Sequence, residues 1–281
     1  MMTSIVAALG GSLLRPEIDN KHTWLSDLIE IIRDRVSMGD RIGIVVGGGA
    51  PAREGIALAR PLISDDYHLD KIGIAATRLN ATIIREAISE AGILVSGIIP
   101  SSVNEAVQLL EEKSVVVMGG TVPGHTTDTV AIRFAIAASA DKCIIATNVA
   151  RVYDEDPKIN PDTKSHKYLS HEELQRIVGP AEHKEAGQSS VVDPIGVAEA
   201  LSAKLELNVL DGRITDRIRL AMEGSEFEGT VISSERDIRV EQIKSLKWPQ
   251  GLLSRLKKLQ LYLRRELVQK MEFHLNHTNI V

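Results

Sequence analysis

Gly119-Gly120-Thr121-Val122-Pro123-Gly124-His125-Thr126-Thr127-Asp128 decides how the rest of this 281-residue chain folds. It follows an apolar run, Ser114-Val115-Val116-Val117-Met118, and leads into a run of helical character over residues 129–140. Three glycines and a proline let a backbone turn tightly and approach a ligand closely. Thr126, Thr127 and Asp128 then fall at a helix N-terminus, where free N–H groups and the positive end of the helix dipole attract anions. A strand, a Gly-rich turn and a hydroxyl-rich helix start together make a phosphate-binding element. The same residues also suit a plain strand-to-helix connection capped by Thr or Asp. The loops elsewhere in the chain must decide between the two.

Three more turns follow apolar runs. They are Gly10-Gly11-Ser12, Gly47-Gly48-Gly49 with Arg53 four residues on, and Thr147-Asn148-Val149-Ala150-Arg151-Val152-Tyr153-Asp154-Glu155-Asp156-Pro157. Strands are expected at 4–9, 41–46, 93–99, 114–118, 142–147, 207–210 and 230–233. Helical periodicity covers 22–38, 50–62, 69–91, 104–112, 127–140, 171–178, 194–205 and 215–222. Strands apolar on both faces and separated by helices predict a mainly parallel sheet in a three-layer α/β/α sandwich. In such sheets ligands bind at the carboxyl ends of the strands, where all four loops would sit.

Composition narrows the function. With 43% hydrophobic and 25% charged residues the chain is ordinary soluble, globular material. A net charge of −5 lacks the basic footprint of a nucleic-acid binder, and two Trp and three Phe supply few stacking platforms. The single cysteine, Cys143, lies in an apolar run and reads as a buried structural thiol. It leaves no disulfide or Cys-based metal site, which suits a reducing cytoplasm. No stretch has the length of a membrane span, and residues 5–9 lack the basic lead-in of a signal peptide.

No G-x-x-x-x-G-K-[ST] phosphate loop is present. Gly47-Gly48-Gly49-Ala50-Pro51-Ala52 fits the loose G-x-G-x-x-A pattern of dinucleotide-binding folds, but it follows the second strand rather than the first. The ordered set is more specific. Gly10-Gly11-Ser12, Gly47-Gly48-Gly49 with Arg53, Asp70 with Gly73, Thr77, Arg78 and Asn80, Met118 through Asp128, Thr147-Asn148 with Tyr153 and Asp156-Pro157, and Ala186-Gly187 with Ser189, Ser190 and Asp193-Pro194 resemble the amino-acid kinase superfamily. Within it the chain is most similar to the archaeal-type UMP kinase branch, from about residue 4 to about residue 233.

The resemblance implies an enzyme that transfers the γ-phosphate of ATP to UMP with Mg²⁺ held mainly by the phosphates. Its first half would bind the acceptor and its second half ATP. Gly48, Asp70, Val122, Pro123, Gly124, His125, Thr126, Thr127 and Asp128 would line the UMP site, with Asp70 accepting from ribose hydroxyls. Gly10, Gly11, Ser12, Gly49 and Arg53 would face the phosphates at the transfer point. Thr147, Asn148, Tyr153 and Asp156 would hold adenine and ribose. Arg53 and Asp128 would be the catalytic side chains, and no protein metal ligand is implied. Isopentenyl phosphate kinases of the same superfamily place a His soon after the Gly triplet; Ala50-Pro51-Ala52-Arg53 stands here, which favours a nucleoside monophosphate. The resemblance also implies a homo-oligomer, a hexamer built from dimers, inhibited by UTP, with no nucleic-acid or membrane partner.

The chain departs from that pattern where cations are usual. Ala7, Ala8 and Leu9 precede the first Gly pair, Ala198 stands where a Lys is typical, and Ala150-Arg151 replaces Asp-Gly. Losing one transition-state donor costs about 3–4 kcal/mol, so the alternative is a nucleotide-binding pseudokinase with a regulatory or storage role. Composition shifts near residue 235. Residues 236–281 hold ten basic and four acidic side chains, a net of +6 against −11 for the remainder. Leu252, Leu256, Leu259, Leu263, Leu267 and Met271 form an apolar stripe at helical spacing. The expected division is a kinase body over 1–235 and a basic amphipathic extension over 236–281. That extension could lie on a membrane, bind nucleic acid or dock on an acidic body, of which the charge balance favours the last.

Overall fold

The computed structural model describes residues 3–14, 22–157, 159–182 and 191–234. The chain opens with β1 (Ser4–Leu9), α1 (Thr23–Ser37), β2 (Arg41–Val46), α2 (Gly49–Ala59), α3 (Asp66–Glu90) and α4 (Val103–Glu112). It continues through β3 (Val115–Met118), α5 (Thr127–Ala137), β4 (Lys142–Thr147), and the short strands β5 (Val152–Tyr153), β6 (Ser165–His166) and β7 (Tyr168–Ser170). The last described elements are α6 (His171–Val178), α7 (Pro194–Ala203), β8 (Glu206–Asp211), α8 (Thr215–Glu223) and β9 (Gly229–Ser233).

Seven strands form one sheet in the order β3-β2-β1-β4-β8-β9-β7, and β5 pairs with β6. All neighbours in the large sheet are parallel except β8 and β9. Side-chain alternation along β1 explains the layering. Ile5, Ala7 and Leu9 join one core with Leu28 and Ile32 of α1, Ile84 and Ile88 of α3, and Ile218 of α8. Val6 and Ala8 join the other, with Leu110 of α4, Val130 and Phe134 of α5, Leu174 of α6 and Val197 of α7. A parallel sheet covered on both faces needs such doubly apolar strands, and the result is the expected α/β/α sandwich.

Several helices begin where the sequence supplies a cap. The Thr126 hydroxyl accepts from Thr129 N–H at the start of α5, and Ser170 and Glu173 form a reciprocal capping box on α6. Asp193 caps α7, with Pro194 in the first turn.

One expected strand is corrected. Residues 93–99 make only a single bridge, Val95 to Val115. Leu94 O still accepts from Val115 N–H, but past it side chains take the carbonyl groups: Arg85 donates to Gly97 O, and Arg78 donates to Ile99 O and to the neighbouring Pro100 O, each at 2.8 Å. Ser96 Oγ also folds back on Ile98. The helix expected over 127–140 stops at Ala137, ahead of Ser139 at φ 50°. The domain division at 235 and the basic extension lie outside the described residues. Among the described residues no helix is long and apolar enough to cross a membrane.

Candidate active site

Sheet order alone gathers the four loops. Because β3, β2, β1 and β4 are consecutive neighbours, residues 119–128, Gly47-Gly48-Gly49, Gly10-Gly11-Ser12 and Thr147-Asn148 follow one another along the carboxyl edge. The chain runs outward from β1 to β3 and then returns to place β4 on β1's other side. That reversal is the topological switch point at which open α/β sheets bind ligands. The switch point therefore lies between Gly10-Gly11-Ser12 and Thr147, with one half of the sheet on either side.

The two central loops touch through their backbones. Gly10 N–H bonds Ala146 O at 2.9 Å and Gly47 N–H bonds Leu9 O at 2.8 Å, extending the ladder past the strand ends. A Cβ on Gly11 would lie 2.4 Å from both Gly47 O and Gly49 N, and Gly49 itself turns at φ 61°. Only glycine allows this approach. Where the two loops meet, the contact is backbone on backbone, with no side chain between them.

One face of α3 braces both acceptor-side loops. Asn80 Nδ2 donates to Gly47 O at 2.7 Å and Gly48 O at 3.0 Å. Thr77 Oγ1 accepts from Gly120 N–H at 2.7 Å and donates to Ile74 O at 2.6 Å. Asp70 Oδ2 accepts from Gly124 N–H at 2.7 Å. Positions 70 and 77 lie seven residues apart, close to two turns, and 80 follows 77 by three, so the three side chains fall within about 80° of one another around the helix. The sequence marked these residues as a motif without showing that two of them shape loops rather than meet ligand.

Three charged side chains that the sequence did not place in the site stand behind the residue 119–128 loop. Burial pushes the Asp128 carboxyl up to about 7, and the charge of Asp193 acts in the same direction. Asp193 meanwhile accepts from Ile195 N–H at 2.8 Å as the cap of α7. Arg133 grips Glu199 of α7 through Nε at 2.9 Å and Nη2 at 2.7 Å, and its Nη1 lies 3.0 Å from His125 Nδ1. No periodicity or local spacing could have found these partners: Arg133 and Glu199 are 66 residues apart.

The remaining expected residues take these places. Arg53 is exposed on α2 and makes no hydrogen bond or ion pair among the described residues. Thr147 ends β4, where its carbonyl accepts from Gly212 N–H at 2.8 Å. Asn148 is exposed, and Tyr153 is half-buried in β5. Asp156 is exposed on the following turn, where its carbonyl accepts from Ile159 and Asn160 N–H. Val122, Gly124 and Thr126 are exposed, and Thr121, Pro123, His125, Thr127 and Asp128 are partly covered. Ala186, Gly187, Ser189 and Ser190 fall outside the described residues. Cys143 is fully buried, and burial pushes its thiol up, consistent with a structural role. A cavity of about 220 Å³ at the opposite end of the sheet, lined by Asp40, Arg41, Glu111, Glu112 and Lys113, mixes both charges and lies far from these loops.

Residues 3–210 match the model of the Amino acid kinase family. The chain belongs to the amino acid kinase family. A uridylate kinase of Methanocaldococcus jannaschii is 38% identical over 228 residues, 81% of this chain and 98% of that one. One of Methanococcus aeolicus is 35% identical over 229 residues, 82% of this chain and 99% of its own length. Among solved structures, uridylate kinase from Archaeoglobus fulgidus superposes with a TM-score of 0.70 at 36% identity, covering 83% of this chain and all of that one. The amino acid kinase match thus spans the whole crest, from β1 through β8.

Proposed function

We propose that this protein transfers the γ-phosphate of ATP to UMP, giving UDP in pyrimidine nucleotide synthesis. The observation that carries this reading is the run of four loops along one sheet edge with a switch point in its middle, in a chain 35–38% identical to uridylate kinases. UMP would bind on the β1-β2-β3 side, between Gly48, Asp70 and residues 122–128. ATP would bind on the β4-β8 side, with Thr147, Asn148, Tyr153 and Asp156 at its nucleoside. The backbone N–H groups of Gly11, Ser12 and Gly49 would meet the transferring phosphoryl group, and Arg53 would neutralise part of its charge. Phosphoryl transfer is chiefly positioning and charge stabilisation, which a cradle of fixed peptide dipoles supplies without reorganisation.

Mg²⁺ would arrive bound to the phosphates of ATP and belongs with the substrate. The helix start at Thr126, capped by its own hydroxyl, offers N–H groups to the UMP phosphate. The absence of a Lys at residues 7–9 has a structural reason. Ala7, Ala8 and Leu9 are buried in the two cores, and Arg53, Arg151 or Arg15, with Mg²⁺ on the phosphates, would balance the charge instead. A body over 1–235, an extension over 236–281, a homo-oligomer and a cytoplasmic setting complete the proposal. Incubation with Mg·ATP and UMP tests it: UDP should form. No transfer to UMP or CMP at any pH with Mg²⁺ or Mn²⁺ would overturn it, and ATP binding without turnover would select the pseudokinase.

Two variants probe the cation balance. Arg53→Ala is expected to weaken phosphate binding by about 1.5–3 kcal/mol, the range for hydrogen bonds to charged groups. Unchanged KM values for both nucleotides would remove Arg53 from the site. Ala198 lies partly covered on α7, beside Glu199. Ala198→Lys is expected to raise kcat by adding a cation near the transfer point. A folded variant with no gain would show that the position does not face the phosphates.

A further inference from the structure

Residues 121–126 cross from β3 to α5 and are tied at two points. On one side Gly124 N–H is held by Asp70 of α3. On the other the His125 ring meets Arg133 of α5, and Arg133 is itself anchored by Glu199 of α7. The Arg133–Glu199 contact uses Nε and Nη2 against both carboxylate oxygens, a side-on pairing that fixes the plane of the guanidinium. Nη1 is then left pointing at the imidazole, 3.0 Å from Nδ1 and 3.1 Å from Nε2. Both partners of this ion pair are about two-thirds covered, so water competes with it less than at an open surface.

A chain of contacts therefore runs from α3 through the loop to α5 and α7. The Asp70 end lies in the acceptor half and the Glu199 end on the helix that Asp193 caps. We propose that Arg133 is a positioning residue for acceptor binding: gripped by Glu199, it holds the His125 ring and so presets residues 122–126 over the acceptor side of the crest. The inference rests on the reading of that loop as the UMP site. The guanidinium can only donate, so the contact uses a ring nitrogen of His125 as its acceptor. Lysine cannot substitute, because a single ammonium does not provide a planar fork that serves a carboxylate and a ring together.

The test compares Arg133→Ala, Arg133→Lys, His125→Ala and the double variant Arg133→Ala/His125→Ala. Arg133→Ala is expected to raise KM for UMP roughly threefold to tenfold, the fold-change for loss of one net hydrogen bond. KM for ATP and kcat should stay within about twofold of the parent protein by the same measure. Arg133→Lys should show the same split, which keeps the test available if the alanine variant folds poorly. In the His125→Ala background, Arg133→Ala should add nothing, because residues acting through one contact are not additive. An undiminished effect in that background, or equal rises in both KM values, would overturn the proposal. Hydrogen exchange gives a readout independent of turnover. Arg133→Ala should speed exchange at residues 122–127 and leave the middle of α5 and α7 unchanged. Faster exchange throughout both helices would make Arg133 a helix staple and overturn the proposal. If the parent protein phosphorylates no UMP, the proposed function fails, while the exchange comparison still decides the role of Arg133.

Discussion

Asp128→Asn will make the protein more stable above pH 7 and a far poorer catalyst. The folded protein holds the Asp128 carboxyl at about 7 instead of its ordinary 3.8, first through burial and then through the charge of Asp193. A raised carboxyl binds its proton more tightly in the native state than in the unfolded chain, so stability falls as pH rises. The full contribution is present below about 4 and is lost as pH climbs through about 7. Each tenfold change in proton affinity between the two states is worth about 1.4 kcal/mol. The penalty at pH 8 is then on the order of 2–4 kcal/mol, the lower end allowing for the solvent that Asp128 still meets. Asparagine carries no charge to desolvate, so Tm of the variant should match that of the parent near pH 4 and exceed it at pH 8. The cost appears in rate: kcat should drop about 100-fold, the scale for losing a group that organises charge at a transition state, with a smaller rise in KM. Asp193→Asn keeps a capping side chain on α7 and removes the neighbouring charge. It should recover only part of the stability, because burial is the larger cause. An Asp128→Asn protein with the same pH–stability slope as the parent would show that Asp128 is not the strained group.

Why a sequence should retain such a residue follows from where it stands. Asp128 is the second residue of α5, in a turn whose free N–H groups favour negative charge. A phosphate entering the same turn competes with the carboxylate for those groups. The helix start can hold both only if part of the charge is cancelled by cations arriving with the nucleotides or by Arg53. The site is thus less stable empty than filled, as expected of a functional position that breaks a local rule.

The sequence was most informative where the physics is local. α6 spans the eight residues expected of it, because Ser170 and Glu173 lie three apart and close a capping box. Three of the four loops were visible because each joins a doubly apolar strand to a Gly-rich turn, and the fourth because Thr147 and Asn148 follow such a strand directly. Residues 93–99 were misleading for the same reason: Val and Ile suit a strand, but beyond the single bridge Arg85 and Arg78 claim Gly97 O and Ile99 O, which a longer ladder would need. Strands β5, β6 and β7 were invisible, being two or three residues long. The braces of the site were hidden by distance along the chain. Thr77 meets Gly120 across 43 residues and Asn80 meets Gly47 across 33. Such pairs exist only once the sheet order has brought their elements together.

Gly11→Ala should cut activity roughly 100-fold, although its neighbour Gly10→Ala should fold normally. A Cβ at residue 11 would lie 2.4 Å from Gly47 O, 2.4 Å from Gly49 N and 2.7 Å from Gly47 C. All three are backbone atoms, so no side chain can swing aside. Gly49 cannot yield readily, because it already turns at φ 61° with its own Cβ position 2.6 Å from Gly11 C. Relief requires the β1 and β2 loops to part, at a cost of about 3 kcal/mol, the upper range for overpacking a tight interior. Parting them displaces the peptide N–H groups proposed to meet the phosphates by a good fraction of an ångström, and misplacement on that scale costs roughly 100-fold in rate. At Gly10 the nearest atom to a Cβ is Ala146 O at 3.4 Å, an ordinary contact. Gly10→Ala should therefore change Tm little, and any loss of kcat there would report on ligand rather than on packing. Thermal melts and steady-state kinetics of the two variants, side by side, make the comparison. If Gly11→Ala keeps both Tm and kcat while Gly10→Ala loses them, the loops do not meet as described and the cradle must be built elsewhere on the crest.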